Sequence, residues 1–150
     1  MGNKSRIEGK NWESRLVDEC AFHGVLVVEM PLGCRITGFR NGRPTLAQKK
    51  TPYDFMLISK HGVVCVLDCK SFDSDRISHS QLTEHQVDKL SDIEHHKVRA
   101  GYLVHLRKIN AIVFFDAIKL KRLTPGNSLL ATDGEYIGTW DKMALGNLFC

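Results

Sequence analysis

The sequence predicts a mixed α/β fold, a central β-sheet flanked by helices, and three observations carry that prediction. An amphipathic helix opens the chain. An antiparallel hairpin occupies residues 53–70, and a second helix is followed by two short β-rich runs. Helix, three strands, helix, two strands is an order that packs helices on a mixed sheet. The 150 residues are the length of one compact domain, 1–150, large enough to bury a core without staples. Hydrophobic residues at 43% and charged residues at 25% exclude a disordered or collagen-like chain.

Each element follows from local chemistry. From Gly9 to His23, Trp12, Leu16, Val17, Cys20 and Ala21 recur at helical spacing, and Gly24 supplies the stop. Val25 to Met30 is a short β-rich run closed by Pro31 and Gly33. Residues 31–52 form a basic loop or extended arm with two weak apolar points, Ile36 and Leu46. Tyr53–Ser59 and Val63–Lys70 flank Lys60-His61-Gly62, a three-residue hairpin loop with glycine at the left-handed position. Residues 71–80 are polar, and 82–99 read as a helix with Thr83 and Gln86 at capping-box spacing and Gly101 closing its far end. Tyr102–Leu106 and Ala111–Phe115 are two further strands, while the tail from Asp116 carries turn signals at 125–127 and 133–134 but no clear element.

Several function classes drop out. No apolar run reaches the roughly 20 residues of a membrane span, and the N-terminus has no apolar signal core, so no membrane partner is expected. Gly2 is followed by Arg6 where a myristoylation motif needs Ser or Thr. Five cysteines with no CxxC pair argue against a disulfide framework or zinc site and favour a reducing cytoplasm. His61, His95 and His96 lack metal-ligand spacing and read as surface residues. The net charge of +4 is unevenly spread: between Pro31 and Tyr53 lie Arg35, Arg40, Arg43, Lys49 and Lys50 and no acid. Such a stretch suits a polyanion, with a solvated loop as the plain alternative.

The hairpin places the chemistry. With 60–62 as the loop, Asp54 lies opposite Asp68, and opposed residues share a face with Cβ atoms about 5 Å apart. Lys70, two residues on, shares that face, whose other members Met56, Ile58, Val64 and Val66 are apolar. Two carboxylates so close repel unless a cation sits between them, and Mg²⁺ takes one or two carboxylates plus water and phosphate oxygens. An ammonium beside them suits an attacking hydroxide or a developing phosphorane charge. The alternative is a surface ion pair between Asp68 and Lys70 at a strand end. Glu13 lies beside the apolar stripe of the first helix and needs a partner there, whether a metal or an arginine such as Arg15 or Arg35. Gln86 shares a helix face with Leu90 and Ile93 and so points inward, unless it serves only as a cap.

An acid on the first helix, Asp54, thirteen residues, Asp68, one residue and Lys70, then a helix with an inward Gln, resembles the PD-(D/E)xK nuclease superfamily. Within it the chain is most similar to Holliday junction resolvases of the RecU and archaeal types. The carrying segments are GKNWESRLVDECAFHGVLVVEMP, TPYDFMLISKHGVVCVLDCKSFDS and SQLTEHQVDKLSDIEHHKVRAGYLVHLRK, together spanning roughly residues 9–115. Tyr53 interrupts the literal Pro-Asp pair, Asp68 stands where Glu is commoner, and residues 31–52 are a short version of the RecU arm. The resemblance implies a restriction-endonuclease-like core with metal-binding acids at Glu13, Asp54 and Asp68, a catalytic lysine at Lys70 and a supporting glutamine at Gln86.

On these grounds the expected activity is Mg²⁺-dependent cleavage of four-way DNA junctions by paired nicks, with Mn²⁺ able to substitute. A homodimer and a bacterial or phage-infected cytoplasm are implied by the resemblance. The alternatives are a flap or repair nuclease of the same superfamily, or a non-catalytic DNA-binding protein on this fold. Crowding acids against phosphate argues against the last.

Overall fold

The structure, a computed structural model, describes residues 2–30, 34–48 and 53–150. In chain order its main elements are α1 (Gly2–Phe22), β1 (Leu26–Glu29), β2 (Cys34–Arg40), β3 (Arg43–Gln48), β4 (Phe55–Ile58), β5 (Val64–Phe72) and β6 (Arg76–Ser78). They continue with α2 (Glu84–His95), β7 (Arg99–Leu106), β8 (Ala111–Asp116), α3 (Ala117–Lys121), β9 (Ser128–Leu130) and β10 (Glu135–Gly138). Six strands form one mixed sheet in the order β1-β4-β5-β7-β8-β10, while β2-β3 and β6-β9 are separate two-stranded ribbons. Within the main sheet β5 and β7 are parallel and the other pairs antiparallel. A parallel pair requires a crossover, and α2 supplies it.

The hairpin register is the one the loop length demands. Phe55 pairs with Leu67, Met56 with Val66, Leu57 with Cys65 and Ile58 with Val64, around a turn whose Gly62 has φ +79°. Period-two alternation then sorts these residues between two cores. Odd-numbered Phe55, Leu57, Cys65, Leu67 and Cys69 pack beneath Trp12, Leu16 and Cys20 of α1. Even-numbered Val66 joins Tyr102, Val104, Val87 and Leu90 beneath α2. Trp12 is fully buried and its indole N–H donates to the Leu103 carbonyl at 3.1 Å, which fixes α1 across the middle of the sheet.

Several boundaries differ from the sequence expectation. The first helix begins at Gly2 rather than Gly9, although the added turns bury little. The stretch expected as a loop or arm is, over its described part, a regular hairpin turning at Asn41-Gly42, both with positive φ. An Asn-Gly pair between short strands is the signature of such a turn, and the density of basic residues masked it. The second helix stops at His95, with Lys97 rather than Gly101 in the left-handed conformation (φ +67°). Thr83 is its N-cap but makes no side-chain capping bond, so the expected capping box with Gln86 is absent.

The unassigned tail completes the sheet. Its β10 pairs with β8 and forms an edge, and Leu145 and Leu148 of the following 3-10 turn are buried in the α1-side core. Trp140 packs 5.9 Å from Trp12 and 5.0 Å from His105, whereas Tyr136 is exposed. Cys65 and Cys69 are buried as expected, and His61, His95 and His96 are exposed. Among the described residues no helix is long and apolar enough to cross a membrane.

Gly101 lies inside β7 opposite Asp116, and a Cβ there would stand 2.0 Å from the Phe115 carbonyl oxygen. The strand pair cannot open without disturbing the parallel pairing of β5 with β7. Gly101→Ala is therefore expected to destabilise the protein by about 1–3 kcal/mol or more, measured by urea unfolding. A variant as stable as wild type would show that the two strands have room to separate.

Candidate active site

Asp54, Asp68, Lys70 and Gln86 meet where β4 ends and β5 continues. The β4-β5 ladder stops at Phe55↔Leu67, so β5 from Asp68 onward has no strand partner on that side. Asp54 fills the gap: its backbone N–H donates to the Leu67 carbonyl at 3.2 Å, and its Oδ2 accepts from the Cys69 N–H at 2.8 Å. Its carboxylate thus takes the place of the next ladder acceptor and is held at the edge of β5.

Asp68 projects from the α2-side face and is 1% exposed. Its Oδ1 accepts from Gln86 Nε2 at 3.3 Å, and its Oδ2 lies 2.8 Å from Lys70 Nζ. That second oxygen is met by the Lys70 ammonium and by no other donor among the described residues. Burial pushes the Asp68 carboxyl well above its ordinary range, and the nearby Asp54 charge adds to this while Lys70 opposes it. Burial also works against the Lys70 ammonium, but the Asp68 charge outweighs it and the lysine pKa is raised. Lys70 is thus a firmly held cation, not a free base.

Gln86 reaches the site from the first turn of α2. Its Oε1 accepts from Lys70 Nζ at 3.0 Å and from the Tyr102 hydroxyl at 3.3 Å. Tyr102 is the parallel neighbour of Asp68 across β5-β7; its ring centroid lies 5.3 Å from Lys70 Nζ, and its hydroxyl accepts from the Thr83 N–H at 3.2 Å. Burial raises the phenol pKa further, so it remains a proton donor. Nothing in the local sequence singles out Tyr102, because its place depends on which strand lies beside β5.

Glu13 comes from the other side of the sheet. It sits half-buried on α1, lining a cavity of about 240 Å³ with Ser14, Val17, Asp18, Glu29 and Phe55. Burial raises its pKa, followed by the charges of Asp54 and Glu29. Arg15, its candidate structural partner, pairs instead with Glu19 and donates to the Trp140 carbonyl at 3.1 Å. Glu13 therefore belongs electrostatically to the acidic end of the sheet. Even so, among the described residues no three His, Cys, Asp or Glu side chains close around a common point. A larger cleft of about 550 Å³ between α2 and α3 is lined by none of Glu13, Asp54, Asp68, Lys70 and Gln86.

The residues present fit a hard cation at the Asp54–Asp68 edge. Two neighbouring carboxylates with one ammonium beside them make an oxygen-only ligand set, which suits Mg²⁺ or Mn²⁺ better than a soft metal.

Of the expected basic residues, Arg40 and Arg43 are exposed and pair across the tip of the β2-β3 hairpin. Arg35 lies in β2 opposite Ala47, and Lys49 and Lys50 fall outside the described residues.

The six-stranded mixed sheet with helices on both faces has a counterpart among solved structures. A Holliday junction resolvase from the archaeon Archaeoglobus fulgidus, Hjc, shares it with a TM-score of 0.58, over 86% of this chain and 96% of that one. Sequence identity is 16%, so the likeness is one of fold. No protein-family model and no curated protein matches the chain.

The raised Asp68 pKa fixes the sign of a pH effect. A carboxyl that binds its proton more tightly when folded contributes most stability below its unfolded pKa, near 3.8, and loses that contribution as pH rises through the folded value. In metal-free protein, wild type is expected to lose stability relative to Asp68→Asn between pH 4 and neutrality, by up to about 1.4 kcal/mol per unit within the window. Urea melts across that range would run parallel for the two proteins if Asp68 titrated normally.

Proposed function

We propose that this protein is a metal-dependent, structure-selective endonuclease that cuts four-way DNA junctions by paired nicks. The observation that carries the reading is the buried Asp68 carboxylate, set beside Asp54 and clamped by Lys70 and Gln86. A purely structural ion pair has no use for a second carboxylate at its shoulder. The fold likeness to a junction resolvase supports the same choice of substrate.

Asp54 and Asp68 would hold Mg²⁺, or Mn²⁺ in its place, with Glu13 approaching from α1 directly or through water. A bound ion would supply Lewis acidity and a water of lowered pKa. The chain's own residues do the remainder. Lys70, kept protonated by Asp68, presents a fixed positive charge to the phosphate as negative charge builds on its oxygens. Gln86 holds that ammonium through its carbonyl and the carboxylate through its amide. Water adds to phosphorus, one P–O ester bond breaks, and the departing sugar oxygen takes up a proton.

Recognition falls to the arm. Arg40 and Arg43 stand together at an exposed hairpin tip beside Phe39, which is 73% exposed. A short two-stranded ribbon ending in two cations and an aromatic fits between converging backbones at a junction centre, with Arg35 on the same ribbon and Lys49 and Lys50 following it in sequence. Two opposed nicks need two sites, so the working form is a homodimer.

Cleavage of a four-way junction, a flap and a linear duplex, each with and without Mg²⁺, tests the reading. Symmetric paired nicks in the junction are expected; flap cutting alone would reassign the protein to repair chemistry, and binding without cutting would make it a DNA-binding module. Asp68→Asn should abolish cutting while junction affinity is kept or increased, because a charge repelling phosphate is gone. A gel shift alongside the cleavage assay checks both halves.

The arm has its own signature. Each phosphate contact contributes about −0.9 to the slope of log K against log salt on B-DNA. Replacing Arg40 and Arg43 by Ala is expected to flatten that slope by about one to two units and to weaken junction binding more than duplex binding. An unchanged slope would leave the hairpin outside the DNA interface.

A further inference from the structure

The hydrogen bonds around Gln86 have only one consistent direction. Lys70 Nζ can only donate, so it must face the Gln86 carbonyl oxygen. With Oε1 taken by Lys70, the amide nitrogen, which can only donate, is the atom that faces Asp68 Oδ1. The Tyr102 oxygen already accepts from the Thr83 N–H, so its own hydrogen goes to Gln86 Oε1. The chain runs Thr83 N–H to Tyr102 O–H to Gln86 Oε1, and Gln86 Nε2–H to Asp68 Oδ1.

Tyr102 is the only member of this chain with no exposure at all and no charge. It stands on β7, in register with Asp68, and so ties the metal-facing strand to the first turn of α2. The N-cap residue Thr83 makes no side-chain cap, and the phenol oxygen serves its backbone N–H instead. A hydroxyl placed for core packing alone would need one partner; this one uses its donor and its acceptor toward two different parts of the site.

We propose that Tyr102 is a positioning residue for the cleavage reaction: its hydroxyl fixes the orientation of the Gln86 carboxamide, which in turn aims the Lys70 ammonium. The inference rests on the nuclease reading above and deepens it. Without the hydroxyl, Gln86 Oε1 keeps only the Lys70 ammonium as partner, and the amide is freer to rotate away from Asp68. The Tyr102 ring face remains beneath the ammonium in a phenylalanine variant, so that substitution removes the hydrogen bonds and keeps the cation–π contact.

The decisive measurement is made on metal-free protein without DNA. In wild type the Gln86 side-chain amide should show ¹⁵N order parameters in the rigid range, about 0.85, falling below about 0.6 in Tyr102→Phe. In cleavage assays the same variant should lose about 10- to 100-fold in single-turnover rate at saturating junction, with junction affinity unchanged. Combining Tyr102→Phe with Gln86→Ala should cost no more than Gln86→Ala alone, since one residue acts through the other. A Gln86 amide that stays rigid in Tyr102→Phe overturns the proposal whatever the rate does, and so does a loss confined to affinity. Should Tyr102→Phe fail to fold, the wild-type Tyr102 hydroxyl proton decides: held between two partners it gives a slowly exchanging signal, and rapid exchange with water refutes the role. If wild type cuts none of the three DNAs, the nuclease reading fails while the amide measurement still judges what Tyr102 does.

Discussion

Burial of one carboxylate governs the architecture around it. Asp68 sits in the middle of β5, nearly sealed from water, where an uncompensated charge would cost several kcal/mol. Three neighbours answer that cost in part: Lys70 supplies the opposite charge, Gln86 a hydrogen bond, and Tyr102 the fixed floor on which both rest. Compensation is nevertheless incomplete, and Asp54 makes it worse rather than better. A site that holds two carboxylates together against their repulsion has stored a preference for positive charge.

The sheet topology makes this arrangement possible. Because β5 and β7 are parallel, the chain must cross over between them, and the crossover helix α2 lies on the face that carries Asp68 and Lys70. Gln86 is delivered from its first turn, where a residue is close to the strand ends. On the opposite face α1 packs against the odd-numbered residues, and Glu13 approaches Asp54 around the edge that β4 leaves uncovered. The early end of β4 is thus the feature that lets groups from both faces of the sheet influence one another.

Charge is divided between two places. Acids gather at the open edge of β5, while Arg40 and Arg43 stand at the tip of a separate ribbon. In a phosphodiesterase this division is reasonable: acids placed against DNA weaken binding, and cations elsewhere restore it. The +4 net charge matters less than this separation.

By itself the sequence determined the hairpin register, because a three-residue loop with Gly62 admits one pairing, and from it the shared face of Asp68 and Lys70; only the tertiary structure shows Asp54 at the strand edge, bonded to the Cys69 N–H. It also determined that Gln86 points inward, since Leu90 and Ile93 mark the buried face of α2. These are local periodicities, and local periodicity survives without knowledge of the neighbours. The tertiary structure alone decided the rest. Whether Gln86 caps its helix or bonds Lys70 depends on where α2 lands; Tyr102 enters the site only because β7 lies parallel to β5; and residues 135–138 become a sixth strand only when β8 offers an edge. The freedom of Glu13 from Arg15 likewise depends on Glu19 and the Trp140 carbonyl capturing that arginine, a competition between partners 4 and 125 residues away that no local pattern records.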